Sequence, residues 1–219
     1  MVILNTNKEK TFEKREELID VAMIEFGEKG YENASLNNIL RKAGISKGTF
    51  YYHYKNKEDL YMNLMDIIIE EKLKFISTRI DSSDFNKDVF SVLKLLIKVG
   101  MEFAHINPNI NKFAQSYIKE TGTEDYNKRM KKYYERRKEF LNGLTAKYGF
   151  HNMDYLGVLI EKAYDEGQIR EDLPKEFVIK LINYLFQNLE QIISSDGLDE
   201  YEMAANYLVD FIRNGLAKD

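Results

Sequence analysis

Apolar residues recur at helical spacing along most of the chain, and no stretch alternates apolar and polar with the period of two that a half-buried strand requires. In the first segment Ile19, Ala22, Met23 and Phe26 fall at i, i+3, i+4 and i+7, with Phe12 one register earlier. This predicts a helix over 11–29, stopped by Gly30. Ser35 is a good N-cap for a short helix over 36–43 with Leu36, Ile39 and Leu40 inward, ended by Gly44. Ser46 caps the next one, 47–53, with Phe50 inward. Two short helices about a Gly-containing turn are the helix-turn-helix arrangement. Helices shorter than ~12 residues are marginal alone, so both must lean on the first, giving a three-helix unit. A long helix over 57–80 would span roughly 35 Å at ~1.5 Å per residue. Asp84 is placed to cap a helix that runs to Ile106 and stops before Asn107-Pro108. Further helices are predicted over 109–120, 124–148, 153–168, 174–194 and 199–216. The fold class is all-α: a three-helix unit over 11–56, joined by the long helix to a larger helical domain over 57–219.

The last two helices carry apolar residues around most of their circumference. A helix apolar nearly all round is buried on more than one side, and a second copy of the chain is the simplest cover for the face its own chain leaves open. Phe177, Leu181, Leu185, Leu189, Ile192, Leu208, Phe211 and Ile212 are the expected interface of a homodimer.

Composition narrows the class. Hydrophobic content of 44% and charged content of 31% suit a globular chain, and two prolines leave long helices uninterrupted. With no cysteine, disulfides and thiolate metal sites are excluded. The N-terminus reads as no signal peptide and no run approaches the ~18 apolar residues of a membrane span, so a cytoplasmic protein without a membrane role is expected. The net charge of −4 speaks against a general polyanion binder, but it is unevenly placed. Residues 1–57 hold 10 Lys/Arg and 8 Asp/Glu; the remainder holds 22 and 28. Residues 33–57 contain five Lys/Arg and no acid, a local positive patch in an acidic protein.

That patch contains the sequence "GISKGTFYYHYKNKEDL", residues 44–60. A helix of about seven residues is roughly 10 Å long and suits the ~12 Å major groove of B-DNA. Its N-terminal end offers free amides, the Ser46 hydroxyl and Lys47 to a phosphate. Gly48 costs the helix ~0.5–1 kcal/mol against Ala, which makes sense where backbone must approach another molecule. Thr49 can meet base edges, Tyr51, Tyr52 and His53 put polar tips on rigid rings, and Lys57 and Arg41 can reach the DNA backbone. Phe50 and Tyr54 point inward by spacing.

The stretch "GYENASLNNILRKAGISKGTFYYHYKNKEDL" resembles the signature of the TetR family of transcriptional regulators. The likeness lies in Phe-x-x-x-Gly-Tyr closing the first helix, Leu-x-x-Ile in the second, Ala-Gly-Ile-Ser as the turn, and Lys-Gly-Thr-Phe-Tyr-Tyr-His-Tyr as the recognition helix. It covers residues 11–71, with the motif over 35–54; Leu36 departs from the Thr of many members. The resemblance implies DNA contacts at Ser35, Ser46, Lys47, Gly48, Thr49, Tyr51, His53 and Lys57. It also implies a dimer whose larger domain is a ligand-binding and dimerisation domain for a small-molecule effector, usually one that releases the operator. The expected protein is thus a ligand-responsive repressor of a palindromic double-stranded DNA operator, not an enzyme. The alternative is an all-α small-molecule-binding protein or enzyme without a DNA role.

Other chemistry is thin. Glu102-x-x-His105 is half of a di-iron carboxylate pattern, but the second copy is absent. "DSSDFNKD" lacks the Gly and Glu of a calcium loop. No metal and no cofactor is expected. Phe103, His105, Phe113 and Tyr117 flank the Asn107-Pro108 break and are the candidate lining of an effector pocket, for an apolar or aromatic ligand.

Overall fold

Serine caps and left-handed glycines set the first helices where the sequence puts them. In the computed structural model, which describes residues 14–81, 83–148, 155–189, 193 and 197–217, α1 is Arg15–Asn33, α2 Leu36–Ala43 and α3 Lys47–His53. The Ser35 hydroxyl accepts from the Asn38 amide at 3.3 Å and the Ser46 hydroxyl from the Thr49 amide at 3.0 Å, each satisfying a first-turn donor. Gly44 closes α2 at φ 65°. Then follow α4 (Lys57–Ser77), α5 (Val89–Ile106), α6 (Pro108–Glu120), α7 (Glu124–Lys147), α8 (Tyr155–Asp165), α9 (Lys175–Gln187) and α10 (Leu198–Leu216). The only strand-like pairing among the described residues is an isolated antiparallel bridge between Ile169 and Ala217. The all-α class holds.

Several boundaries differ from the sequence reading. Gly30 does break α1, at φ 72° and ψ 173°, but Tyr31–Asn33 add another turn beyond the kink. Asp84 caps no α-helix; it opens a single 3-10 turn, Asp84–Asn86, and Asp88 caps α5 instead, its carboxylate accepting from the Ser91 amide at 3.2 Å. α4 stops at Ser77, short of Ile80. The helix expected over 174–194 ends at Gln187, with Asn188 at its C-cap. Phe12 lies outside the described residues.

The chain divides into two compact units, and the division does not follow a single cut in sequence. One unit comprises the chain up to Ile68 together with Pro108–Arg129; the other comprises Ile69–Asn107 and the chain from Met130 on. In the first unit Leu18, Phe26, Ile39, Phe50, Leu60 and Leu64 are at most 1% exposed. Phe26, Tyr61 and Phe113 form an aromatic triangle, with Phe26–Tyr61 and Tyr61–Phe113 centroids both 5.0 Å apart and tilted or edge-on. This joins α6 to the helix-turn-helix unit, and the contact is close. A Cβ at Gly27 would lie 3.0 Å from the Phe113 amide nitrogen, and one at Gly30 would lie 2.8 Å from the Glu120 carboxylate. Glu25 is fully buried yet charged, a position the helical pattern did not single out. It accepts from the Lys29 ammonium at 2.6 Å, the Asn38 side-chain amide at 2.8 Å and the Ser35 amide at 3.3 Å, tying α1 to the start of α2. Burial pushes its carboxyl up, but these donors outweigh that and hold it below the ordinary glutamate value. The cover is thin, since it consists partly of the half-exposed stems of Lys29 and Lys42.

The second unit is centred on Val89, Phe90 and Leu93 of α5, Ile160 and Ala163 of α8, Val178 and Ile182 of α9, and Val209 and Ile212 of α10. The expected dimer residues separate here. Ile212, 4% exposed on α10, belongs to this core, and Leu189, just past the end of α9, is 3% exposed, so neither lies on an open face. Leu185 and Leu208 are partly buried against the same core. Ile192 lies outside the described residues. Phe177, Leu181 and Phe211 are exposed, and the structure adds Tyr184, Met203 and Tyr207 beside them.

Candidate nucleic-acid interface

α3 buries one residue and presents the rest. Phe50 is fully buried and Tyr54 is 8% exposed, stacked at a 5.5 Å centroid distance, so the inward spacing read from the sequence is correct. Lys47, Gly48, Thr49, Tyr51 and Tyr52 are all exposed, Tyr51 at 56% and Tyr52 at 75%. An aromatic pair this open is unusual for a chain with a well-filled core. Tyr51 rests edge-on against Phe50 at 5.2 Å and Tyr52 against His53 at 4.9 Å, which holds the rings while leaving their hydroxyl ends outward. The Ser46 hydroxyl is 2.8 Å from Thr49 Oγ1, so cap and threonine brace each other at the helix start. From α2, Arg41 is exposed and its guanidinium donates to Asn38 Oδ1 at 2.7 Å, a restraint that aims it along the same face.

Gly48 is informative through what it does not touch. Within the chain a Cβ there would meet only the Ser46 hydroxyl, at 3.8 Å, an ordinary contact. Nothing in the fold requires glycine at this position. We therefore expect Gly48→Ala to raise thermal stability slightly, by ~0.5–1 kcal/mol, while weakening DNA binding. Thermal melts and operator titrations of one preparation read both signs, and unchanged operator affinity would assign Gly48 no role at the interface.

Lys57 sits differently from the expectation. Its ammonium donates to the carbonyls of Tyr31 at 2.7 Å, Ala34 at 3.1 Å and Glu32 at 3.2 Å, and lies 4.5 Å from the Tyr31 ring centroid. All three of its donors cap the carbonyl end of α1. Burial draws its pKa below the ordinary lysine value. Lys57 is thus a tie between the start of α4 and the end of α1, and its side chain is not presented to a phosphate. Ser35 is exposed, with its hydroxyl occupied by the α2 cap.

The four residues expected to line an effector pocket fall two in each unit. Phe113 is 2% exposed inside the aromatic core of the first unit, and the Tyr117 hydroxyl pairs with that of Tyr126 at 2.6 Å in the same unit. An open cleft of about 500 Å³ in this unit is lined by polar groups including Lys119, Glu120 and Arg129, and by none of the four. Phe103 belongs to the second unit, 6% exposed and edge-on to Phe75 at 5.3 Å. His105, also there, is exposed, bonded through Nδ1 to the Met101 carbonyl at 2.9 Å with Nε2 3.3 Å from Asp199. Glu102 instead pairs with Arg79 at 2.9 Å, so the Glu-x-x-His spacing is used by two separate surface pairs.

The comparisons agree with this surface. Residues 18–63, which include α2, α3 and the first turns of α4, match the family model described as bacterial regulatory proteins, tetR family. The chain is 25% identical over 127 residues to the icaADBC operon negative transcriptional regulator IcaR of Staphylococcus epidermidis, covering 54% of this chain and 69% of that one. It is 23% identical over 201 residues to the probable acrEF/envCD operon repressor of Escherichia coli K12, covering 90% and 84%. A TetR-family regulator from Chloroflexus aurantiacus has the same fold, with a TM-score of 0.66, 23% identity and 98% coverage of both chains. The helix-turn-helix built from α2 and α3 and the match across it carry one conclusion: residues 18–63 form a helix-turn-helix of the tetR type, and the chain is a DNA-binding transcriptional regulator.

Proposed function

We propose that the protein is a repressor that binds a palindromic DNA operator as a homodimer and leaves it when the larger unit takes up a small molecule. The observation that carries the DNA reading is the outward face of α3, where Lys47, Thr49, Tyr51 and Tyr52 stand exposed on a helix short enough for the major groove. Lys47 and the first-turn amides suit phosphate; Thr49, Tyr51 and His53 suit base edges and sugar. Arg41 adds a backbone contact, and Ser35 and Ser46 place the two helix starts. Its regulator relatives are described as negative regulators or repressors of operons, which supports repression here.

The dimer reading is supported by α9 and α10. Phe177, Leu181 and Tyr184 at i, i+4 and i+7, with Met203, Tyr207 and Phe211 at i, i+4 and i+8, form exposed apolar stripes on two helices of one unit. Contiguous exposed apolar surface on this scale marks an association site. A two-fold pair of copies would give a four-helix interface and two recognition helices for half-sites ~34–36 Å apart. Ligand control would act through the two-state coupling that links any effector site to a DNA site. α4 is the candidate transmitter, since Lys57 ties its first turn to α1 while its last turns belong to the second unit.

The test is operator titration at several salt concentrations. Lys47→Ala should weaken binding to all sequences and lower the slope of log K against log salt by about one per half-site. Tyr51→Ala should cost ~1–3 kcal/mol and act chiefly on the cognate sequence. Wild-type affinity in both variants would remove α3 from the interface, and DNA binding absent in the wild type would favour a small-molecule-binding protein without a DNA role.

A further inference from the structure

Glu25 stands where α1 would be expected to carry an aliphatic side chain. It lies seven residues beyond Leu18 and three beyond Ala22, on the face that buries both, and is itself fully buried. A buried carboxylate is weak evidence for stability, because an apolar residue of similar volume often serves a core as well or better. Its partners point to a different use. Oε1 accepts from the Lys29 ammonium at 2.6 Å and the Ser35 amide at 3.3 Å, and Oε2 accepts from the Asn38 side-chain amide at 2.8 Å. Lys29 is on the same helix; the other two donors belong to the start of α2.

Ser35 is the N-cap of α2 and Asn38 its third residue. In a capping box the third residue's own side chain reaches back to the N-cap amide. Here Glu25, from another helix, accepts that amide, and the Asn38 side chain is released from the cap. It bridges Glu25 and Arg41 instead: Nδ2 donates to the carboxylate and Oδ1 accepts from Arg41 Nη2 at 2.7 Å. The reversed amide would set oxygen against carboxylate and NH2 against guanidinium, so charge at both ends fixes its orientation. Arg41 makes no other bond among the described residues, which leaves Nε and Nη1 for a phosphate.

We propose that Glu25 is a positioning residue for operator binding: through the Asn38 amide, the buried carboxylate holds the Arg41 guanidinium where it meets the DNA backbone. This rests on the reading of Arg41 as a backbone contact. Glu25 itself touches no DNA. A long exposed side chain gives up rotamer freedom when it docks, and the relay removes part of that freedom before DNA arrives. A buried charge on α1 thereby acts on the surface of α2, one helix away from the contact.

The experiment titrates the full chain against a duplex that the wild type has selected from a random-sequence pool, at several salt concentrations and below the melting midpoint of every variant. Arg41→Ala should weaken binding and lower the slope of log K against log salt by about one per half-site. Asn38→Leu cuts the relay while leaving Glu25 its Lys29 and Ser35 donors. It should weaken binding by about 3–10-fold in the wild-type background and not at all in the Arg41→Ala background, the mark of two residues acting as one. Glu25→Gln keeps the shape, but its single amide oxygen cannot accept on both sides, so it should repeat that pattern. Should Glu25→Gln not fold, Glu25→Asp, which withdraws the charge by one methylene, takes its place under the same expectation. A merely structural role would lower affinity alike in both backgrounds. The proposal is overturned by that equal loss, or by wild-type affinity in Asn38→Leu or in the Glu25 variant. Wild-type affinity in Arg41→Ala also overturns it, by removing the contact being positioned, and leaves the reading of α3 to Lys47→Ala and Tyr51→Ala.

Discussion

Phe211→Glu, combined with Tyr207→Glu, is expected to lower operator affinity by about 10²–10⁴-fold, the gain that linking two half-site contacts provides. Both side chains are open in the single chain, Phe211 at 74% and Tyr207 at 66%, so the folded unit loses little when they are replaced. In the proposed dimer they are covered, and a two-fold axis doubles every introduced charge. Carboxylates forced into an apolar interface without partners oppose association strongly. The recognition helices themselves are untouched, which separates this result from a damaged reader. Sedimentation velocity should show half the wild-type mass with an unchanged melting profile at a concentration where the wild type is a dimer. A variant that keeps the wild-type mass would move the interface away from α9 and α10.

Gly30→Val is expected to destabilise the first unit by about 2–5 kcal/mol, the sum of backbone strain and a steric clash. Gly30 holds φ 72° and ψ 173°, a region closed to residues with a Cβ and worst for β-branched ones. A Cβ would also stand 2.8 Å from Glu120 Oε1, which accepts from the Tyr31 amide at 2.6 Å, while Oε2 of the same carboxylate pairs with Arg129. Arg129 in turn is 7% exposed, pairs with Glu32 at 3.3 Å and lies 4.1 Å from the Tyr31 ring centroid. The valine therefore cannot be accommodated by moving one flexible side chain, because the Glu120 carboxylate is held at both oxygens, by the Tyr31 amide and by Arg129. Urea melts followed by circular dichroism should show a lower midpoint, and operator binding should fall with it because α2 and α3 lean on α1. A midpoint matching the wild type would mean that the kink after Gly30 is not needed.

Much of the fold was legible along the chain. Ser35, Ser46 and Gly44 act locally, through first-turn amides and a left-handed backbone, so their positions fix α2 and α3 without reference to distant residues. Phe50 and Tyr54 were placed inward by period alone, and the acid-free stretch 33–57 marked the exposed basic face. What pattern reading could not supply were the long-range partners. Asp84 and Asp88 are both acceptable caps, and only the path of the chain before α5 selects Asp88. Lys57 looked like a phosphate ligand because nothing in the sequence says that the end of α1 lies within reach of its ammonium. Phe113 looked like pocket lining because it flanks the Asn107-Pro108 break, whereas its neighbours in space are Phe26 and Tyr61.

The same distinction divides the last two helices. Their apolar character around most of the circumference implied two covered faces, but not which residue served which face. Leu189 and Ile212 went to the core and Tyr184, Met203 and Tyr207 to the open side. By itself, then, the sequence determined the helices, the exposed basic face of α3 and the apolar character of the last two helices, because caps, periods and charge runs act within a few residues. The tertiary structure alone decided that α6 joins the first unit and that Lys57 and Glu120 hold α1. Those facts depend on which distant side chains share a neighbourhood, and burial and pairing are properties of that neighbourhood, not of the residue.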